Sequence, residues 1–152
     1  MELDQIDRRI LSVLQKTGRM SNSDLAEKVH LSASACHRRV QRLESEGIIR
    51  DYVALLDPRK MGRPTTVFVE ITLSGQADEV LDAFEKAVAR VPDVLECHLM
   101  AGTADYLLKV VAGDTEDFAR IHRKYLATLP GVAQLQSSFA LRTVRQTTAL
   151  AV

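Results

Sequence analysis

The sequence predicts an α+β fold in two parts, on three observations. Residues 4–46 carry apolar side chains at helical spacing between Ser and Asp caps, residues 48–56 are rich in β-formers, and the second half repeats one strand–helix–strand unit. The composition of the 152 residues is that of an ordinary globular chain, 46% hydrophobic and 26% charged.

Three helices are predicted first. Residues 4–17 place Ile6, Ile10, Val13 and Leu14 on one face, with Asp4 as N-cap, Asp7 at the third helical position and Gly18 as a left-handed stop. Residues 22–30 start at Ser21, with Asp24 three places on as a variant capping box, and bury Leu25, Ala26 and Val29. After a tight turn at His30-Leu31, Ser32 caps a helix over 33–46 whose inner face is Cys36, Val40 and Leu43, ended by Gly47. Two short helices joined by so tight a turn outline a helix-turn-helix. Residues 48–56 then read as a strand or hairpin at its edge, giving a winged-helix-like unit. The turn-like Met61-Gly62-Arg63-Pro64 marks the boundary, dividing the chain into 1–60 and 61–152.

The repeat has an offset of 38 residues. Gly75 matches Gly113, Asp78-Glu79 matches Glu116-Asp117, and Val88, Val91, Pro92 and Val94 match Leu126, Leu129, Pro130 and Val132. Strands over 65–73, 94–101, 105–111 and 132–144, with helices over 78–91 and 115–128, make two β-α-β units. In tandem these form a ferredoxin-like βαββαβ domain. Its helices cover one sheet face, and a second subunit is the economical cover for the other.

Net charge is zero, which excludes a non-specific polycation; residues 1–60 carry 11 basic and 9 acidic side chains, the remainder 9 and 11. Cys36 and Cys97 have neither paired spacing nor a metal-ligand pattern and read as reduced, packed thiols. The polar start MELDQIDRRI shows no secretory h-region, and no apolar run is long enough for a membrane span, so a cytoplasmic location is expected. Nucleophile triads, Walker loops, GxGxxG and HExxH are missing, and neither His98 nor His122 has a catalytic partner in view, so no enzyme is expected.

Candidate function lies in two places. On the third helix the outward face is Ser34, Arg38, Gln41 and Ser45, with Arg42 beside it and His37 and Arg39 on the flanks. Arg38 and Gln41 have the chemistry to read base edges, Ser34 and Arg42 to meet base or phosphate, and Ser32 and Ser34 to donate to phosphate at the helix start. The competing reading is a solvated, charged helix face. In the second half, Met100-Ala101-Gly102-Thr103-Ala104-Asp105 joins two predicted strands. Amides near Thr103 suit a carboxylate and Asp105 an ammonium group, the two charges of a free amino acid. By pattern alone this is first a hairpin turn with a capping Asp.

The stretch LDQIDRRILSVLQKTGRMSNSDLAEKVHLSASACHRRVQRLESEGIIRDYVALLDP resembles the Lrp/AsnC, or feast/famine, family, and PDVLECHLMAGTADYLLKVVAGDTEDF with the later LPGV resembles its effector domain. The resemblance covers residues 3–148. It implies a regulator of amino-acid metabolism that binds double-stranded DNA, dimerises through strands of both domains and assembles further, to an octamer among other sizes. Its effector is implied to be a small amino acid held between dimers, with no other cofactor. Under this reading His37 joins Ser32, Ser34, Arg38, Gln41 and Arg42 in the DNA-binding set. Met100, Ala101, Gly102, Thr103 and Asp105, with Ser138 on the last strand, become the effector set. Ser32-Ala33-Ser34-Ala35-Cys36 lacks the prolines that often open the family's recognition helix, and Thr103-Ala104 stands where acidic or aromatic residues are common. The ending Arg145-Gln146-Thr147-Thr148-Ala149-Leu150 resembles the leucine-responsive branch and points to leucine or another aliphatic amino acid. An architectural DNA binder and a metabolite-binding oligomer are the competing classes.

Overall fold

A computed structural model describes residues 2–152. It divides into two compact units, residues 1–55 with 145–152, and Leu56–Val144. The division falls five residues before the expected 60/61, and the tail belongs to the first unit. There Gln15 donates from Nε2 to the Leu150 carbonyl (2.9 Å) and accepts from the Leu150 amide (2.6 Å).

The first unit holds α1 (Gln5–Leu14), α2 (Asn22–Val29) and α3 (Ala33–Ser45). At α1 the capping box is complete: Asp7 N donates to the Asp4 carboxylate at 2.8 Å, and Asp4 N to that of Asp7 at 3.2 Å. Ser21 and Ser32 cap α2 and α3 by accepting from the Asp24 and Ala35 amides. Each such cap is worth about 1 kcal/mol. Gly18 is not the left-handed stop expected. Right-handed Gln15 and two bonds from Lys16 N and Thr17 N to the Val13 carbonyl close α1 instead. His30 does adopt the left-handed conformation (φ 59°), letting Leu31 N reach the Ala26 carbonyl and turning the chain into α3. Ile10, Leu11, Leu25, Ala26, Val29, Cys36 and Leu43 form the core. Residues 48–56 form no strand: they bend at 48–49 and pair with no strand among the described residues, with Val53 70% and Leu55 71% exposed. Their β-forming composition lacks a ladder partner among the described residues, and an unpaired strand has no hydrogen bonds to define it.

The second unit holds β1 (Thr65–Leu73), α4 (Asp78–Val88), β2 (Val94–Leu99), β3 (Tyr106–Ala112), α5 (Thr115–Ile121) and β4 (Val132–Phe139). The sheet is antiparallel, in the order β2-β3-β1-β4 expected of the βαββαβ arrangement. The repeated apolar positions are structurally equivalent: Val88 and Leu126, then Val91 and Leu129, all enter one core with Val67, Val69, Ile71, Phe84 and Leu108. The expected helix over 115–128 is α-helical only to Ile121. It widens to a π-helical stretch over His122–Leu126, where Ala127 N donates to the His122 carbonyl at 2.8 Å. β4 ends at Phe139 rather than 144: its ladder with β1 closes at the Val67–Phe139 pair, followed by one further bond from Ala140 N to the Thr66 carbonyl (2.9 Å).

Candidate functional site

On α3, Cys36 and Leu43 are fully buried, while Ser32, Ser34, His37, Arg38, Gln41 and Arg42 are all exposed. The expected DNA-binding set therefore shares one accessible side of the helix. Ser32 Oγ is committed to the Ala35 amide as a cap and lies 3.4 Å from Ser34 Oγ. Arg38 makes no ion pair among the described residues.

Arg42 and Arg39 stand differently. Asp7, on α1, is completely buried; it accepts from Arg39 Nη1 at 2.8 Å and from Arg42 Nη2 at 2.6 Å. Arg39 Nη1 also reaches Asp4 at 2.6 Å. The Asp7 amide and the Arg39 guanidinium beside it hold the Asp4 carboxyl down at about 2. Arg42, expected beside the DNA-reading face, is thus turned toward α1. A carboxylate taken out of water is costly when left unpaired, and the two arginines within reach supply its partners. The periodicity of α3 carried no sign of this, because the partner lies on another helix; the one available signal was a second Asp in the first turn of α1.

In the second unit the expected effector loop joins β2 to β3, with Met100 N donating to the Asp105 carbonyl at 2.8 Å. Met100, Ala101, Gly102 and Thr103 are exposed. Gly102 is not left-handed, and a Cβ there would meet nothing within 4 Å, so the space beside its backbone is open. Asp105 is buried, and its carboxylate accepts from the Leu73 amide (2.7 Å) and from Gln76 Nε2 (2.8 Å). Instead of facing solvent to receive an ammonium group, it secures the end of β1. Ser138 pairs with Phe68 on the helix-free side of the sheet. That is three residues, about 10 Å, along β1 from Ile71, whose carbonyl takes the Asp105 amide. Ser138 and the loop therefore do not meet within one chain.

A cleft of about 480 Å³ opens beside β2, lined by Glu85, Val88, Leu95, Cys97, Leu99 and Tyr106 among others. None of the expected effector residues lines it. Tyr106 packs its ring 4.4 Å from that of Phe84 and donates to Glu85 at 2.6 Å. Burial, with Glu85 nearby, pushes the Cys97 thiol up to about 11, which keeps it protonated and unreactive. Sequence alternation marks Cys97 and Leu99 as one strand face, but only the fold brings Glu85 opposite them.

Comparison with known proteins matches residues 3–50 to a winged helix-turn-helix DNA-binding model and residues 66–150 to the Lrp/AsnC ligand binding domain. The chain is 41% identical over 151 residues to leucine-responsive regulatory proteins of Klebsiella pneumoniae and Escherichia coli, across 99% of this chain and 92% of theirs. The chain belongs to the Lrp/AsnC family. It is a DNA-binding transcriptional regulator with a ligand-binding domain, grouped with regulators and not with enzymes. Among solved Lrp/AsnC-like structures, a Neisseria meningitidis transcriptional regulator in complex with L-Met superposes with a TM-score of 0.93 at 38% identity, covering 98% of this chain and 96% of that one. An AsnC family regulator from Agrobacterium tumefaciens gives the same score and identity, covering 97% and 96%. Escherichia coli AsnC, at 21% identity and a TM-score of 0.88, shares the fold. No helix among the described residues is long and apolar enough to cross a membrane.

Proposed function

We propose that this Lrp/AsnC protein acts in the cytosol as a sequence-specific regulator of amino-acid metabolism genes. It binds operator DNA as a dimer-based homo-oligomer, up to an octamer, and responds to an aliphatic or thioether amino acid. The observation that carries the DNA-binding half is the row Ser34, Arg38 and Gln41 on α3, exposed and opposite the buried Cys36 and Leu43. A helix of this kind reads base edges from the major groove, and two of them related by two-fold symmetry favour half-sites about 10 bp apart or multiples of that. The ligand half is supported by the exposed Met100–Thr103 loop and by the relative bound to L-Met. With Asp105 committed internally, the loop's contribution comes from its backbone amides. The exposed apolar side chains of residues 48–56 support assembly.

The test is light scattering behind size-exclusion chromatography, on the protein mixed with its own upstream DNA, with and without each amino acid in turn. A DNA-bound oligomer whose size or affinity shifts with leucine, methionine or a similar amino acid supports the proposal. Binding without any amino-acid response favours an architectural role, and no binding at low salt returns α3 to a plain charged surface helix.

A further inference from the structure

Three arginines lie on α3, yet they are not equivalent. At 100° per residue, Arg38 stands on the outward face with Ser34, Gln41 and Ser45 around it, Arg42 is offset by about 40°, and Arg39 by about 100°, close to the core boundary. The two offset arginines are the ones bound to Asp7, and their side chains are 46% and 27% exposed. Asp7 itself has no contact with water and spends both oxygens on them, Oδ1 on Arg39 and Oδ2 on Arg42. Asp4 closes the set by taking the same Arg39 Nη1. Two carboxylates and two guanidiniums form a charge-neutral quartet that ties α1 to α3.

We propose that Asp7 is a specificity-determining positioning residue. It withholds Arg39 and Arg42 from the DNA backbone and fixes the roll of α3, so that the row Ser34, Arg38 and Gln41 faces the bases. The inference rests on α3 being the DNA-reading helix. Its physical basis is that each arginine free to neutralise a phosphate adds affinity for any sequence, while base-edge contacts add it for one. An arginine neutralised by a buried carboxylate contributes to neither. It holds the helix at one angle, and base readout depends on that angle.

The experiment measures binding to the protein's own upstream DNA and to a random-sequence duplex of equal length, across a salt series from about 50 to about 200 mM. Arg38→Gln is expected to weaken binding to the upstream DNA most. Arg42→Gln is expected to keep the wild-type slope of log K against log salt on the random duplex while narrowing the preference for upstream DNA. Asp7→Asn, which keeps the shape and removes the charge, is expected to tighten random-duplex binding and steepen that slope by about 0.9 for each arginine released. Circular dichroism checks that each variant folds; if Asp7→Asn does not, Arg42→Gln and Arg39→Gln carry the test. A slope flattened by about 0.9 in Arg42→Gln identifies a direct phosphate clamp and overturns the proposal, leaving α3 as the reading helix. An Arg38→Gln variant that binds upstream DNA as tightly as wild type overturns both.

Discussion

Burying a carboxylate costs several kcal/mol unless charges or hydrogen bonds meet it, and among the described residues three are buried: Asp7, Asp93 and Asp105. Asp7 meets two guanidiniums, and Asp93 meets Arg63. Asp105 is held by neutral donors alone, the Leu73 amide and the Gln76 side chain. Asp105→Ala removes both bonds and strands the Leu73 N–H, so a loss of about 2–4 kcal/mol is expected, read from the denaturant midpoint. A loss of any effector response in that variant would then reflect the collapsed loop end and not a missing ligand contact. If stability were unchanged, the carboxylate would be free for a ligand and the internal assignment would be wrong.

At the scale of elements, two left-handed glycines of the second unit stand in different surroundings. Gly131 lies in a left-handed turn (φ 74°) just before β4, where a Cβ would sit 3.0 Å from Val80 Cγ1 on α4. Gly62 has nearly the same φ, 71°, with open space around it. Gly62→Ala should cost about 1 kcal/mol through the backbone alone, and Gly131→Ala more, because Val80 must also shift. Thermal denaturation of the pair checks this; equal shifts would mean that the α4 contact yields freely. The helices themselves start where Asp4, Ser21 and Ser32 predict, since a cap and its amide are only three residues apart.

At the scale of the molecule, each unit has its own buried cluster, and apolar surface remains unsatisfied on residues 48–56. Fully burying one such side chain is worth about 1.5–3 kcal/mol, enough that several in a row favour association. Replacing both Val53 and Leu55 with Lys is expected to lower the mass seen by light scattering toward that of a monomer while leaving the helical circular dichroism signal intact. An unchanged mass would place the assembly surface elsewhere, on the helix-free sheet face around Phe68 and Ser138 being the next position to probe.

Helix starts, the 38-residue repeat and the outward row of α3 were legible because each rests on spacing along the chain: three residues for a cap, 3.6 for a helix, two for a strand. The resemblance of residues 3–148 to a family of regulators extended that reading to function. What spacing does not contain is which distant group a charged side chain will choose. Arg42 belongs to Asp7, 35 positions away, and Asp105 to Leu73, 32 away. Both pairings exist only because folding removes the carboxylate from water and leaves one set of donors within reach. Residues 48–56 illustrate the same limit from the other side. Their β-forming side chains describe a strand, but a strand is completed by hydrogen bonds to a neighbour, and the neighbour is a property of the assembled tertiary structure and not of the segment.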